Sequence, residues 1–567
     1  MTTQPNGHDL RAISTTTHGS LEPIARRSTR ANGTSRLHVH APDGSVRGSE
    51  FFSDRVPQRR AVHSQVKKNG QRPLRVMKFG GTSVGDASCI TRVVDIVRTA
   101  SRDADLVVVV SAMSGVTNKL IEAALQSEAG SHARATTILN ELRSIHEAAA
   151  DALISSVAVR ERVRQKGNAD FQQGDELCRA TSLSHEFTPR SRDSISSLGE
   201  RLSAPLIAAA MTEQGVPAEA MEATELLVTN SCFGGAEPLM DLTRDRCESL
   251  LRPMLQKGVI PVVTGFIGAT VDGELTTLGR GGSDYSATIL GAALHADEVV
   301  IWTDVDGVLT SDPRIVPGAC TIPEISYREA AELAYFGAKV LHPKTLRPLI
   351  RSEIPLWIRN TFSPEGPGTK VTAEGSSING GVKALTAYND AVLIRVCGPA
   401  IAGVPNLLGR TFTATAAARA EVLLILQSSS QNEVRFVVPS SVAKDTVEAL
   451  RGEFAKNLAD EAAEHITVDT TIGVMTVVGQ NMRQVSSVIR RTISALEREN
   501  VNIIAFAQGS SECNISFVVS KEDVKAALVT AHAEFQLGAD LASFSCEKSL
   551  TAGEVSQPIA SSEQIKA

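Results

Sequence analysis

Lys78-Phe79-Gly80-Gly81-Thr82-Ser83 follows the apolar run Leu74 to Met77. About two hundred residues later, Thr277-Leu278-Gly279-Arg280-Gly281-Gly282-Ser283-Asp284 opens into the helix-like stretch Tyr285 to Ala293. Each reads as a strand, then glycines, then a helix, an order that aims free backbone N–H groups and a positive helix end at one anion. Lys78 and Arg280 add full positive charges at the same end. Neither stretch fits G-x-x-x-x-G-K-[ST] or G-x-G-x-x-G, so the common nucleotide-binding folds are not indicated. One Gly-Gly pair by itself reads as a tight turn. Two such loops in one chain point to a polyphosphate gripped from two sides.

Working outward, short β-rich runs alternate with helical ones from Leu74 onward. Leu106 to Val110, Val259 to Thr264 and Glu298 to Thr303 read as buried strands. Helical spacing fits Ala87 to Thr99, Leu120 to Gln126 and Ala287 to Leu294. This alternation predicts an α/β domain, a mostly parallel sheet with helices on both faces. Chemistry then belongs at the carboxyl ends of the strands, where Gly80, Ser111, Gly265 and Asp304 fall. The Pro/Gly-rich segment Ser363 to Gly368 is expected to close this domain.

After Gly375 to Gly381 the pattern changes to a repeat. Gln427-Ser-Ser-Ser-Gln-Asn-Glu-Val-Arg-Phe-Val-Val438 aligns at an offset of 81 with Gln508-Gly-Ser-Ser-Glu-Cys-Asn-Ile-Ser-Phe-Val-Val519, with six of twelve positions identical. The same offset carries Gly398 onto Gly479 and the helix-like Val404 to Ala418 onto Val485 to Glu499. Each unit is expected to run strand, helix, strand, strand. Five segments follow: a basic leader (1–72), the α/β domain (73–370), two repeat modules (383–465 and 466–547) and a polar tail (548–567).

Composition narrows the class. No stretch of 18 apolar residues occurs, so no membrane span is expected. The eight cysteines form no C-x-x-C, which argues against a zinc site or a disulfide framework. Residues 1–72 carry twelve Lys or Arg against five Asp or Glu, a net of +7, which leaves −13 of the total −6 on residues 73–567. An acidic body argues against nucleic acid as a partner. The leader has no apolar core of a secretory signal. It reads as a disordered extension of a cytoplasmic protein, or alternatively as a plastid transit peptide.

With Trp302-Thr303-Asp304-Val305-Asp306-Gly307-Val308, the two loops together resemble the aspartate kinase family in wording and order, from about Arg75 to beyond Val519. The resemblance implies an amino-acid-kinase fold followed by tandem α+β, ferredoxin-like ACT domains. It implies transfer of a phosphoryl group from ATP, with Mg²⁺, to the side-chain carboxylate of L-aspartate. The acceptor is already an anion, so no general base is needed, and the task is to hold two anions together. Lys78, Asp284 and Arg280 are then the catalytic group. Arg280 would clamp the α-carboxylate bidentately, and Glu200, in Leu198-Gly199-Glu200-Arg201-Leu202-Ser203, would meet the ammonium. Ser111, Thr117 and Ser283 complete the expected aspartate site. Lys78, Gly80, Gly81, Thr303, Asp304, Asp312, Arg314 and Lys339 are the expected ATP contacts. Leu309 stands where the family usually carries an aromatic, so looser packing on the nucleotide is expected. No dedicated metal residue is assigned, since Mg²⁺ commonly rides on the phosphates.

Gln427 and Gln508, before the serines of each repeat, resemble the kinase half of bifunctional aspartokinase–homoserine dehydrogenases. This implies an amino-acid effector, threonine ahead of lysine, and self-association through the ACT domains as a homodimer or larger. Three other readings compete: a related amino-acid kinase such as a glutamate or acetylglutamate kinase, a non-catalytic amino-acid sensor, and an oligomerisation scaffold.

Overall fold

The computed structural model describes residues 72–338, 340–376, 381–397, 407–427, 433–455, 466–482, 486–509 and 511–538. The expected leader, apart from its last residue, and the expected polar tail lie outside them.

The first strand, Leu74–Phe79 (β1), is apolar on both faces because it is covered on both. Leu74 and Val76 enter one core while Met77 and Phe79 enter the other. Helix α1 (Ala87–Ala100) follows, its first turn capped by Asp86, which accepts from Cys89 N at 2.8 Å. Strand β2 (Asp105–Val110) repeats the two-faced alternation of β1. Helices α2 (Val116–Glu128), α3 (His132–Leu153), α4 (Val157–Ser184), α5 (Pro189–Ser196) and α6 (Leu198–Glu213) come next. The chain then forms β3 (Ala218–Met221), α7 (Ala223–Leu226), β4 (Val228–Thr229), α8 (Met240–Gln256), β5 (Ile260–Thr264), β6 (Ile267–Thr270) and β7 (Leu275–Thr277). Helix α9 (Gly282–Ala293) leads to β8 (Glu298–Thr303), β9 (Glu324–Ser326), α10 (Tyr327–Tyr335), α11 (Pro343–Ser352), β10 (Leu356–Asn360) and β11 (Thr369–Thr372).

Eight of these strands make one sheet in the order β3-β5-β2-β1-β8-β10-β11-β9, parallel throughout except for the β10–β11 pair. The parallel sheet with helices on both faces is the expected α/β architecture. One local expectation is corrected. Ser363 to Gly368 does not close the domain but is the turn between β10 and β11, which pair antiparallel. Glycine at 368 is required there: φ is +66° and a built Cβ would lie 2.4 Å from Ile358 O.

Two antiparallel four-stranded sheets follow. Strands β12 (Val382–Tyr388), β13 (Ala391–Cys397), helix α12 (Leu407–Ala417), β14 (Leu424–Gln427), β15 (Glu433–Pro439), α13 (Ser440–Glu453), β16 (Ile466–Asp469) and β17 (Ile472–Gly479) lead to helix Ser486–Arg498. The chain continues through β18 (Ile503–Gln508), β19 (Asn514–Ser520) and helix Val524–Glu534. The 81-residue offset superposes β13 on β17, β15 on β19 and α13 on the last helix, so each unit has a second helix that the expected strand-helix-strand-strand order omits. The sheets are β14-β15-β13-β16 and β12-β17-β19-β18. The segment boundaries expected at 383–465 and 466–547 therefore need correction. Strand β12 crosses over to pair with β17, and β16 closes the first sheet against β13. Each repeat supplies only three strands, and the fourth comes from outside it.

The second module packs on the kinase-like domain through buried polar contacts. Lys383 of β12 pairs with Glu329 of α10 at 2.8 Å, both fully buried. Thr310 bonds His532 Nε2 at 3.0 Å, and Leu385 N donates to Thr310 O at 2.8 Å. Asn514 Nδ2 donates to Glu332. Among the described residues no helix is long and apolar enough to cross a membrane.

Candidate active site

The parallel register sets β1 beside β8, so Gly80 N donates to Trp302 O at 3.1 Å and the carboxyl ends of the two strands open together. Lys78, the penultimate residue of β1, is buried and reaches across to Asp284 in the first turn of α9, Nζ to Oδ1 2.5 Å. The two glycine loops, about two hundred residues apart in sequence, are thus joined by one ion pair. A side chain on Gly80 would sit 3.5 Å from Lys78 Nζ, and one on Gly81 would press to 3.0 Å on Ala112 O.

The second loop turns on two left-handed glycines, Gly279 at φ +76° and Gly281 at φ +69°. Gly281 precedes α9, whose first N–H groups need partners from outside the helix. Gly282 lies under Phe266, and a Cβ there would approach the ring to 2.5 Å. Phe266 itself has φ +70°, a costly conformation for an aromatic residue. It is held because Phe266 N donates to Ser286 Oγ and Phe266 O accepts from Leu278 N.

A cavity of about 300 Å³ sits over these ends, lined by Lys78, Ser111, Thr117, Glu200, Phe266, Gly279, Arg280, Gly281, Gly282, Ser283 and Asp284. All seven side chains expected in the catalytic group and aspartate site line this one space. Ser111 follows β2, with its carbonyl accepting from Ser203 Oγ at 2.6 Å, and Thr117 lies in the first turn of α2. Glu200 comes from the first turn of α6, where Gly199 allows the helix to approach Ala112. Its carboxyl is fully buried, and burial pushes its pKa up to about 8. Backbone N–H groups of Ala112 and Glu200 and the charge of Lys78 pull the other way. Glu200 Oε2 has no hydrogen-bond partner. A buried carboxyl with a partnerless oxygen, on a residue that lines a cavity, is suited to accept from a cationic or N–H donor guest.

Opposite, Arg280 approaches His342, the N-cap of α11, whose Nδ1 accepts from Lys344 N at 3.2 Å. Burial and the nearby Lys344, Arg280 and Arg347 hold the His342 imidazole below its usual pKa. Lys344 ion-pairs with Glu237 at 3.1 Å and lies over the Tyr285 ring, bracing α9 from behind.

Residues 73–360 match the amino acid kinase family, and residues 394–454 and 475–535 each match the ACT domain. Bifunctional aspartokinase/homoserine dehydrogenase of Haemophilus influenzae is 33% identical over 461 residues, covering 81% of this chain and 56% of that protein. Aspartokinase 1, chloroplastic, of Arabidopsis thaliana is 30% identical over 477 residues, covering 82% and 81%. The chain belongs to the aspartokinase family. It spans about half the length of the bifunctional relatives it matches. E. coli aspartokinase III, solved with aspartate and ADP, matches at TM-score 0.68 and 31% identity, covering 82% of this chain and 100% of that one. The same enzyme with lysine and aspartate gives TM-score 0.66 and 31% identity over 81% and 99%.

Of the residues expected on the nucleotide side, Lys78 lines that cavity, while Gly80, Gly81, Thr303, Asp304, Asp312 and Arg314 are not in its lining. Thr303 and Asp304 follow Trp302 at the end of β8, and Thr303 Oγ1 donates to Asp304 at 3.2 Å. Asp312 and Arg314 pair with each other at 2.6 Å in the loop between β8 and β9. Leu309 bridges to Thr321 in that loop. Lys339 lies outside the described residues. Of the expected effector residues, Gln508 ends β18 with its side chain exposed, while the side chain of Gln427 at the end of β14 lies outside the described residues. Phe266 and Gly279 line the cavity and were not anticipated. The glycine-rich wording around Gly279 was visible, but nothing in a Gly-Phe pair announces an aromatic held at positive φ.

Proposed function

We propose that this protein transfers the γ-phosphoryl group of ATP to the side-chain carboxylate of L-aspartate, giving 4-phospho-L-aspartate and ADP. The observation that carries the reading is the partnerless Glu200 Oε2 in the same cavity as Arg280 and the Lys78–Asp284 pair. An α-amino acid offers an ammonium for Glu200 and a carboxylate for Arg280. Its side-chain carboxylate would then extend toward Lys78 and the glycine loops. Lys78 counters the charge that spreads over the transferring group, and Asp284 holds the Lys78 ammonium in place. Ser111, Thr117 and Ser283 orient the acceptor. The nucleotide enters along Gly80, Gly81, Thr303 and Asp304, with Asp312 and Arg314 on its outer side, and Lys339 is kept as a contact on the strength of the sequence. Mg²⁺ arrives with the phosphates. Among the described residues no three His, Cys, Asp or Glu side chains gather to cage an ion.

The repeat modules are proposed to bind an end-product amino acid and to pair with a second copy of the chain. Gln427 and Gln508 favour threonine over lysine as effector. Edge strands β14 and β18 carry exposed Ile425 and Phe506, which supports self-association.

Purified protein with ATP, Mg²⁺, L-aspartate and hydroxylamine should form aspartyl hydroxamate. Absence of product at saturating substrates would overturn the kinase reading and leave the amino-acid sensor as the better account.

A further inference from the structure

Asp193 is a carboxylate that the proposed chemistry does not use, yet it is only 1% exposed. It sits on α5 and spends its oxygens on two neighbours, the segment that leads into the Arg280 loop and the loop at Gly234. Oδ1 accepts from Thr277 Oγ1 at 2.7 Å, and Oδ2 accepts from Thr277 N and Gly234 N, each at 2.9 Å. Thr277 ends β7, three residues before Arg280. Gly234 is equally well placed, because its carbonyl lies 2.9 Å from where a Cβ of Gly279 would be. On its own side, Asp193 O accepts from Ser197 N at 3.1 Å, at the corner where α5 turns into α6 and Glu200. One buried side chain therefore ties α5, the helix that turns into α6 and Glu200, to β7, the strand that leads into the Arg280 loop.

We infer that Asp193 is a positioning residue that fixes the span between the Glu200 and Arg280 ends of the amino-acid pocket. The inference rests on the proposed aspartate site and deepens it. An α-amino acid presents its ammonium and carboxylate on one carbon, so the two grips must keep a fixed separation. A displacement of about 1 Å between them costs up to ~10²-fold. The γ-phosphate side, built on β1 and β8, has no bond to Asp193 among the described residues and meets the Arg280 loop only indirectly, through the Lys78–Asp284 pair, so it should respond less than the amino-acid pocket does.

The test uses the full chain with Asp193→Ala, Asp193→Asn and Thr277→Val, each assayed by hydroxamate formation and by calorimetric titration with L-aspartate. Asp193→Ala is expected to raise aspartate KM and Kd by roughly 10- to 100-fold while ATP KM stays within about twofold. Asparagine keeps an Oδ1 acceptor for both N–H groups and can turn its amide to the Thr277 hydroxyl, so Asp193→Asn should restore most of the affinity. Thr277→Val removes only the Oδ1 bond and should fall between. Hydrogen exchange at Thr277 N and Gly234 N should quicken in Asp193→Ala. Unchanged aspartate affinity in Asp193→Ala, equal loss of aspartate and ATP affinity, or no recovery in Asp193→Asn would each overturn the inference. A parent protein that binds aspartate without turnover, with binding weakened in Asp193→Ala, would sink the kinase reading while upholding Asp193. A parent that does neither would overturn both.

Discussion

Lys78 and Glu200 test the site one side chain at a time. Lys78 is buried and ion-paired with Asp284, so its use is electrostatic. Lys78→Ala should lower kcat by roughly 10²-fold or more with a smaller change in aspartate KM, the size expected for one lost preorganised charge. A near-normal kcat would reduce the first loop to a turn. Glu200 gives a pH signature. Its folded pKa, about 8, lies above the ordinary 4.5, so its stabilising contribution to the empty protein is complete below about pH 4.5 and is lost as pH rises through 8. Ligand binding runs the other way, because an ammonium guest favours the carboxylate and expels the proton. Aspartate KM should fall as pH rises from 6.5 to 8.5, by at most about tenfold per pH unit. Glu200→Gln should flatten that profile, and a flat profile in the parent protein would remove Glu200 from the amino-acid site. At this scale the sequence was legible where a charged residue sits in a motif. It was silent on Phe266 and Asp193, whose roles depend on a backbone angle and on a helix meeting the end of a distant strand.

The second glycine loop is an element whose shape follows from steric limits. Gly282 starts α9 against Phe266, and each fixes the other. Gly282→Ala must push its Cβ into the ring or tilt the helix, at a cost of ~1–3 kcal/mol in stability. Because α9 carries Asp284, kcat should fall with it. Chemical denaturation and steady-state kinetics on the same variant check both, and a fully active, equally stable Gly282→Ala would show that α9 is not held by this contact. The strands were legible at this scale because parallel strands covered on both faces must be apolar throughout. Glu298 to Thr303 matches β8, and the expected start of β5 is one residue early. The long pair α3 and α4 was not anticipated. α4 buries only a narrow stripe, Asp170, Phe171, Gly174, Cys178 and Thr181, and leaves Val157 and Leu183 exposed among polar residues.

Across the whole molecule, the second repeat is docked on the kinase-like domain through Asn514 and Glu332, Lys383 and Glu329, and Thr310 and His532. An effector bound near Gln508 would act by favouring one arrangement of these contacts. Coupling of ~1–3 kcal/mol corresponds to roughly 5- to 150-fold in affinity. Gln508→Ala should blunt inhibition by threonine while leaving the uninhibited rate nearly intact. Inhibition by lysine alone, unaltered in that variant, would reassign the effector. The repeat itself was readable from its 81-residue offset, because identical turns recur in sequence. The exchange of outer strands was not, since nothing in Val382–Tyr388 marks its sheet and its partner β17 lies more than eighty residues away.

That exchange sets an order of events on the ribosome. The first module, Ala391 to Asp469, is contiguous and can close as soon as β16 emerges. The second must wait, because β12 is made early while β17, β18 and β19 are made last. Until then β12 is an apolar strand without its sheet, and Lys383 lacks the enclosure that the finished sheet gives its pair with Glu329. A chain released after Asp469 would keep every residue of the aspartate cavity and both glycine loops, yet expose that strand. Such a fragment is expected to aggregate when synthesised alone and to be rescued by supplying residues 470 onward in trans, with recovery into the supernatant after centrifugation as the readout.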